Sequence, residues 1–481
     1  MSTISARAIL RPVMRWSVRV VIGLIALVTL IILIIAASIP YGMLVPFSQG
    51  TTGQDGQAVI INNVNVLTMT DGETLTDQFV LIDDGRIISI TSRRPDNAEA
   101  YLQVDGHGQT LMPGLIDMHT HIFDRTDLVN YLTSGVTTVR NMMGMPMHLR
   151  WREQTENGTL AGARMIAASP SLNQGEWAPF HTFVETPDEA RDRVRLYHRQ
   201  GYDFIKVYDG LSGENLAAVV DEATALGLPV AGHPVLALSL DDFLHSGIVS
   251  VEHAEDIYHG ALDGSNDEDR IVEVADQFAQ SGVPLVPTLM AYRNLQRANA
   301  DMEGFLASVD MERINPVVRF FGDRAISGYD TYPHSDRMAR KMDAMTALVA
   351  RLYEIDGPIV LGTDTAPAYT MAGETVHDEI DMLINAGVDP YSILRSATSY
   401  AAEVLNLSAE IGQIAPSLRA ELILIDGDPI ADTSLLRHPT AVFRAGRYYD
   451  REALDILENS GRSTMSTYAT IGWLLWHEIQ R

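Results

Sequence analysis

Between residues 112 and 400 the chain alternates eight short apolar runs with helical patterns. The runs are LIDMHTH (115–121), VTTVRN (136–141), RMIAAS (164–169), DFIKVY (203–208), LPVAGH (228–233), IVSVEH (248–253), VPLVPT (283–288) and PIVLGTD (358–364). Stretches such as 187–200, 213–226 and 240–246, with Ala, Leu, Glu and Arg at helical spacing, fall between them. Parallel strands need a crossover, usually a helix, so this alternation predicts a parallel sheet. Eight repeats predict an α/β protein, a (β/α)8 barrel over 112–407. A doubly wound open sheet is the competing arrangement, but no glycine-rich phosphate loop follows the first run. The stretch 289–357 is too long for one connection. It is expected to hold a helical insertion, including 337–354, able to cap the site.

Short β-branched runs flank the barrel at 58–66, 78–83 and 86–92, separated by turn signals such as Asp84-Gly85. Residues 421–425 and 441–448 have the same character. They predict a small β-sandwich built from both sides of the barrel, over 57–111 and 408–450. Residues 451–481 read as a helical extension. Its apolar patch at 469–476 is too short to span a bilayer. Trp473 and Trp476 suit either a membrane interface or packing against the body.

The net charge of −27 is unevenly placed. Arg7, Arg11, Arg15 and Arg19 fall in the first 40 residues with no acid, which leaves 31 basic against 62 acidic residues elsewhere. An acidic body repels phosphate, which argues against nucleic acid as a partner. Residues 20–39 carry no charge, and 20 residues of helix span roughly 30 Å, the hydrocarbon thickness of a bilayer. A basic tail before that segment predicts a single-pass anchor at 1–40 in the lipid bilayer, with a cytoplasmic N-terminus. A linker at 41–56 would lead to an extracytoplasmic body, periplasmic in a Gram-negative cell. A cleaved signal peptide ending near residues 36–38 is the competing reading.

The chain has no cysteine, so thiolate ligands, catalytic thiols and disulfides are excluded. The chemistry must come from residues that end the apolar runs. His119 and His121 are two apart and share one strand face. Lys206, His233, His253 and Asp364 end the fourth, fifth, sixth and eighth runs. In a barrel those ends converge on one mouth, where active sites sit. Four histidines, a lysine and a carboxylate there predict a metal site, for Zn²⁺ or another divalent ion. Lys206 is one of only two lysines among 35 basic residues, and its run is apolar. Burying an ammonium is costly. Either Lys206 pairs with a carboxylate such as Asp364, or it is neutral and reacts with CO₂ to give a carbamate able to bridge two metals. Arginine cannot do this. Lys341 is expected as a solvated residue on the inserted helix.

The segments MPGLIDMHTH, DFIKVYDGLS, LPVAGH, SVEHAED and IVLGTD resemble the motif series of the metal-dependent amidohydrolase superfamily, in its imidazolonepropionase-like and prolidase-like branch. The resemblance extends over about residues 57–455. It implies a binuclear centre, with His119, His121 and Asp364 on the first metal and His233 and His253 on the second. Carboxylated Lys206 would bridge both ions. Two positions depart from the pattern. Asn141 stands where an acid is usual after VTTVR. Leu418-Arg419-Ala420-Glu421 replaces a lysine-alanine-aspartate stretch.

The expected activity is hydrolysis of an amide or peptide-like bond in a small molecule: a dipeptide, an N-acyl amino acid or a cyclic amide. Asp364 would accept the nucleophile's proton and pass it to the leaving amine. Tyr208, two beyond Lys206, is a candidate for the substrate carbonyl or its oxyanion. His377, in GETVHDE, is a candidate substrate residue or ligand-orienting residue. Asp117 is a candidate for orienting a ligand, and His181 lies in the loop after the third run. Ester or lactone hydrolysis, a non-catalytic anchored binding protein, and assembly into a homo-oligomer are further readings.

Overall fold

In the computed structural model, residues 57–464 are described apart from 71, 97, 176–179 and 331–334. Residues 20–34, 36, 37, 470, 472 and 474 are also described. The chain divides into two units, Met1–Phe47 with Ser466–Arg481, and Ser48–Met465. In the first unit residues 20–34 are helical, with exposed apolar side chains. Among the described residues no helix is long and apolar enough to cross a membrane. The expected span at 20–39 is therefore only partly visible as helix. Its residues 35, 38 and 39, the basic tail, the linker 41–56, Trp473 and Trp476 lie outside the described residues.

The second unit begins with strands β1 (Val59–Leu67), β2 (Thr74–Asp83), β3 (Arg86–Thr91), β4 (Leu102–Asp105) and β5 (Thr110–Pro113). The next strands are β6 (Leu115–Thr120), β7 (Val136–Asn141), β8 (Arg164–Ala167), β9 (Ser171–Asn173) and β10 (His181–Phe183). Then come β11 (Ile205–Val207), β12 (Val230–Gly232), β13 (Ser250–Glu252) and β14 (Leu285–Val286). The last three are β15 (Leu422–Ile425), β16 (Ala441–Arg444) and β17 (Arg447–Asp450).

The eight apolar runs close into a ring of parallel segments. β6, β7 and β8 pair in order. Ala168 bridges to Phe204 at the start of β11, and β11, β12, β13 and β14 continue. Leu285 bridges to Ile359, and Thr365 bridges back to Thr120 beside β6. β9 joins β11 through Val207 and Leu172, and carries β10 on its other edge. Residues such as Ile116, Met118, Val286 and Val360, each at most 1% exposed, form a core with Ala401 and Ala402 of the helix Ser399–Val404. Such burial contributes about 1.5–3 kcal/mol for a whole Val or Ile side chain.

Local chemistry sets the helix ends. Helix Pro187–Gln200 starts on Thr186, whose hydroxyl accepts the Glu189 amide, with proline in its first turn. It stops at Gly201, whose φ of 86° costs glycine nothing.

Hydrogen bonding makes the flanking β-structure one continuous sheet rather than two stacked ones, in the order β17-β16-β15-β5-β1-β2-β3. β4 and β5 pair with successive halves of β1, where register shifts bend the strand. The sheet thereby folds around its own core of Val64, Leu111, Leu422 and Phe443. The single run expected at 441–448 is two strands joined by Ala445-Gly446, both at positive φ. Helix Arg451–Thr464 follows and packs on helix Arg125–Thr133.

The insertion 289–357 carries helices Leu289–Ala300, Met302–Ser308, Pro316–Asp330 and Ser335–Glu354. The last packs against helices Ala254–His259, Glu268–Ser281 and Leu289–Ala300. Lys341, on that helix, is only 4% exposed, not solvated as its polar surroundings in sequence suggest.

Candidate metal centre

His119 and His121 project from the end of β6, and Asp364 follows the eighth segment. The two chain segments are zipped together at this point. Asp364 N donates to His119 O at 2.8 Å, and Met118 N to Leu361 O at 3.0 Å. Gly362 permits the close approach: a Cβ there would lie 2.4 Å from Val286 Cγ1 and 2.9 Å from His119 N. Asp117 fastens the same junction. Its Oδ1 accepts the amides of His119 and Thr363, and its Oδ2 accepts the Thr363 and Tyr131 hydroxyls. Burial pushes the Asp117 carboxyl up to about 7, against the pull of those bonds.

Ligand atoms of His119, His121 and Asp364 lie within 4.8 Å of one another. Asp364 Oδ1 is 2.9 Å from His121 Nε2 and 3.4 Å from His119 Nε2. Yet among the described residues Asp364 Oδ1 and His119 Nε2 are buried without a hydrogen-bond partner. A donor set of this kind, converging and unsatisfied, fits a divalent cation.

Second contacts fix the imidazoles. His119 Nδ1 is 2.7 Å from Glu252 Oε2, His233 Nδ1 is 2.7 Å from Asp256 Oδ2, and His253 Nδ1 is 2.9 Å from Thr288 Oγ1. Each bond engages Nδ1 and leaves Nε2 as the atom that could ligate a metal, the usual arrangement around one. The His253 ring lies 4.5 Å from both the His119 and His233 rings. Burial first, then the neighbouring cationic groups, holds His119 and His233 well below the usual imidazole range. Neutral imidazole is the form that binds metal.

Backbone strain sharpens the convergence. His253, Thr288 and Asp364 have φ of 68°, 53° and 54°. Consecutive residues of a regular strand face opposite ways. The left-handed turn at His253 brings its ring beside His119, although Glu252 bonds that ring too. Such conformations cost about 1–3 kcal/mol each and cluster at functional sites.

Lys206 sits in the middle of β11, 1% exposed. Among the described residues its Nζ has no hydrogen-bond partner, and no ion pair to Asp364 is formed. Burial pulls its pKa down to about 8, although Glu252 and Asp364 oppose this.

The Tyr208 ring lies 4.0 Å from the His233 ring at a 45° tilt, and the His181 ring meets it edge-on at 4.4 Å. Burial and nearby carboxylates push its hydroxyl above the usual phenol range. His377 is not brought to this cluster. It is buried in helix Glu374–Asn385, with Nε2 2.9 Å from Ser134 O at the end of another helix. Its sequence position after the eighth segment suggested the mouth, but its side chain faces the helix layer. Asn141 also acts structurally: it accepts the Ile122 amide and donates to Met143 O, fixing the loop after His121.

Sequence reading missed Glu252, Arg140, Asp256, Thr288 and Glu379. Arg140 Nη2 donates to Glu252 Oε1 at 2.8 Å, both fully enclosed. Glu379 accepts the Leu289 and Met290 amides at 2.8 and 2.7 Å, holding the chain just past Thr288. Glu252 did leave a signal, a carboxylate inside the apolar run SVEH.

The Amidohydrolase family model matches residues 110–448. The chain belongs to the amidohydrolase family. Membership places it among enzymes that hydrolyse carbon–nitrogen bonds, generally with a divalent metal. It is 22% identical to an ochratoxinase of Aspergillus niger over 454 residues, covering 81% of this chain and 85% of that protein. A solved Xaa-Pro dipeptidase with bound methionine superposes with a TM-score of 0.64 at 20% identity, covering 82% of this chain and all of that one. A bottromycin amidohydrolase superposes with a TM-score of 0.68 at 23% identity, covering 90% and 94%.

Proposed function

We propose that this amidohydrolase cleaves an amide or peptide-like C–N bond in a small molecule, such as a dipeptide, an N-acyl amino acid or a cyclic amide. The observation that carries this reading is Lys206: a fully buried amine at the centre of β11 whose Nζ has no hydrogen-bond partner among the described residues, close enough for its charge to depress both His119 and His233. His119, His121 and Asp364 would hold one Zn²⁺, and His233 and His253 a second. Lys206, carboxylated by CO₂, would supply the shared anionic ligand. Two such ions, when bound, acidify a water and polarise the substrate carbonyl.

The chain's own residues do the rest. Asp364 takes a proton from the attacking water and returns it to the leaving nitrogen. Despite burial, contacts with His121 and the other histidines keep its carboxyl low, so it starts ionised. The Tyr208 hydroxyl stays protonated and donates to the carbonyl oxygen as negative charge develops there. The names of the similar proteins, ochratoxinase and Xaa-Pro dipeptidase, support amide-type substrates.

The test is turnover of a panel of dipeptides, N-acyl amino acids, cyclic amides and lactones by Zn²⁺-loaded and chelated protein. Metal-dependent release of an amine is expected. Turnover of lactones alone, or none with full metal occupancy, would overturn the reading. The anchor reading rests on the charge-free segment 20–39 behind a four-arginine tail. Salt-resistant membrane fractionation, abolished by deleting residues 1–40, would support it. A body that stays soluble with the segment intact would refute it.

A further inference from the structure

Lys341 is the second of the two lysines, and the reaction above does not use it. It lies in the inserted helix Ser335–Glu354, 4% exposed. Its Nζ bonds Glu255 Oε1 and stands 5.3 Å from the centre of the Tyr292 ring. Glu255 is two residues beyond His253, on helix Ala254–His259. It also takes a hydrogen bond from the Tyr292 hydroxyl, and His259 Nε2 lies 3.5 Å away. One carboxylate thus gathers groups from three helices: its own, Leu289–Ala300 and Ser335–Glu354.

This junction borders the metal-centre histidines. The Tyr292 ring stands edge-on to His253 at 6.3 Å. His253 is in the left-handed region, and it precedes a helix without capping it through its side chain. Such a residue persists only where its surroundings over-determine it. On one side His253 is held by Val286 O and Thr288 Oγ1. On the other side Ala254 N donates to Pro287 O at 3.1 Å, and Glu255 is the next residue held through its side chain.

We propose that Lys341 is a positioning residue: through Glu255 and Tyr292 it clamps the helical insertion onto the backbone that presents His253, and so sets the affinity of the His233–His253 half of the centre. A lysine suits the place because its ammonium is a compact charge with rotatable donors, where a guanidinium is a broad planar fork. The inference rests on the two-metal reading. A residue that merely glued the insertion down would change stability without distinguishing the two halves.

The test titrates metal-free, full-length protein with Co²⁺ alone. It follows visible ligand-field absorption and competition with a chelator, in wild type, Lys341→Met and Tyr292→Phe. Wild type is expected to take two equivalents. In Lys341→Met the first should bind unchanged, while the second binds about 10-fold or more weakly with an altered band. Tyr292→Phe keeps the ring and should shift the second equivalent the same way by less. A second equivalent with wild-type affinity and spectrum in Lys341→Met overturns the inference, as does equal weakening of both. Should Lys341→Met not fold, Tyr292→Phe decides: an unchanged second band overturns the inference, and a shifted one supports it. A wild type that takes only one equivalent overturns the two-metal reading and this inference with it.

Discussion

His119 Nδ1 lies 2.7 Å from Glu252 Oε2, and the other oxygen of that carboxylate takes bonds from Arg140 and Ser250. Glu252 immediately precedes His253, so one residue ties His119 to the strand that carries His253. Glu252→Gln keeps the shape but removes the charge that orients His119 and balances Arg140. We expect metal affinity to fall about 10–100-fold. We also expect stability to drop by about 3–5 kcal/mol, because Arg140 is left buried and unpaired. Chelator competition and denaturant unfolding measure the two effects. Wild-type affinity in the variant would refute the orienting role.

Much of this centre was legible in the sequence, and the reason is physical. Residues at C-terminal strand ends of a barrel must converge, so His119, His121, Lys206, His233, His253 and Asp364 could be gathered from their places at the ends of the apolar runs, while their division between two metals came only from the family resemblance. Hydrogen-bond partners far apart in sequence could not. Nothing in a helical pattern announces that Lys341 meets Glu255, 86 positions away. A lysine amid polar residues reads as solvated until the helix that covers it is placed. His377 failed for the opposite reason. Nearness in sequence to Asp364 suggested the mouth, whereas the helix that starts at Glu374 turns that side chain toward Ser134. The strand pair β16 and β17 read as one run because the Ala445-Gly446 turn is short.

Lys206→Ala separates the two readings of the buried amine. If carboxylated lysine is the shared ligand, the variant should lose most activity and hold its second metal weakly. Added propionate should then recover part of both. Carbon-13-labelled bicarbonate should give a carbamate resonance in wild-type protein that the variant lacks. No carbamate signal, together with no response to propionate, would leave Lys206 as an unmodified buried amine.

His377 makes a prediction about acid stability. Burial pulls its imidazole down to about 4, from an ordinary 6.5, despite the Ser134 carbonyl. A lowered value means the unfolded chain binds the proton more readily. Its contribution is complete above about pH 6.5 and is lost as pH falls toward about 4. The span corresponds to about 3 kcal/mol. Denaturant unfolding of metal-free protein across that range should show the loss. His377→Gln should flatten the slope without changing metal affinity at neutral pH. An unchanged slope would mean that other groups carry the acid sensitivity.

Arg444 and Glu421 test whether stability and chemistry can be separated. Both are buried where the sheet meets the barrel, with Arg444 Nε 3.2 Å from Glu421 Oε2 and Arg419 nearby at 3.5 Å. Arg444→Met removes the closer of the two guanidinium groups beside the buried Glu421, leaving the longer contact with Arg419, and should cost up to about 3–5 kcal/mol. Restoring neutrality with Arg444→Met/Glu421→Leu should recover much of that loss, since an apolar pair of similar volume often replaces a buried ion pair without penalty. The pair contacts none of the proposed ligands, so metal stoichiometry and turnover per folded molecule should be unchanged in both variants. Calorimetry and Co²⁺ titration on the same samples decide the matter. A variant that kept its stability but lost metal would show that the sheet, and not only the barrel, shapes the centre.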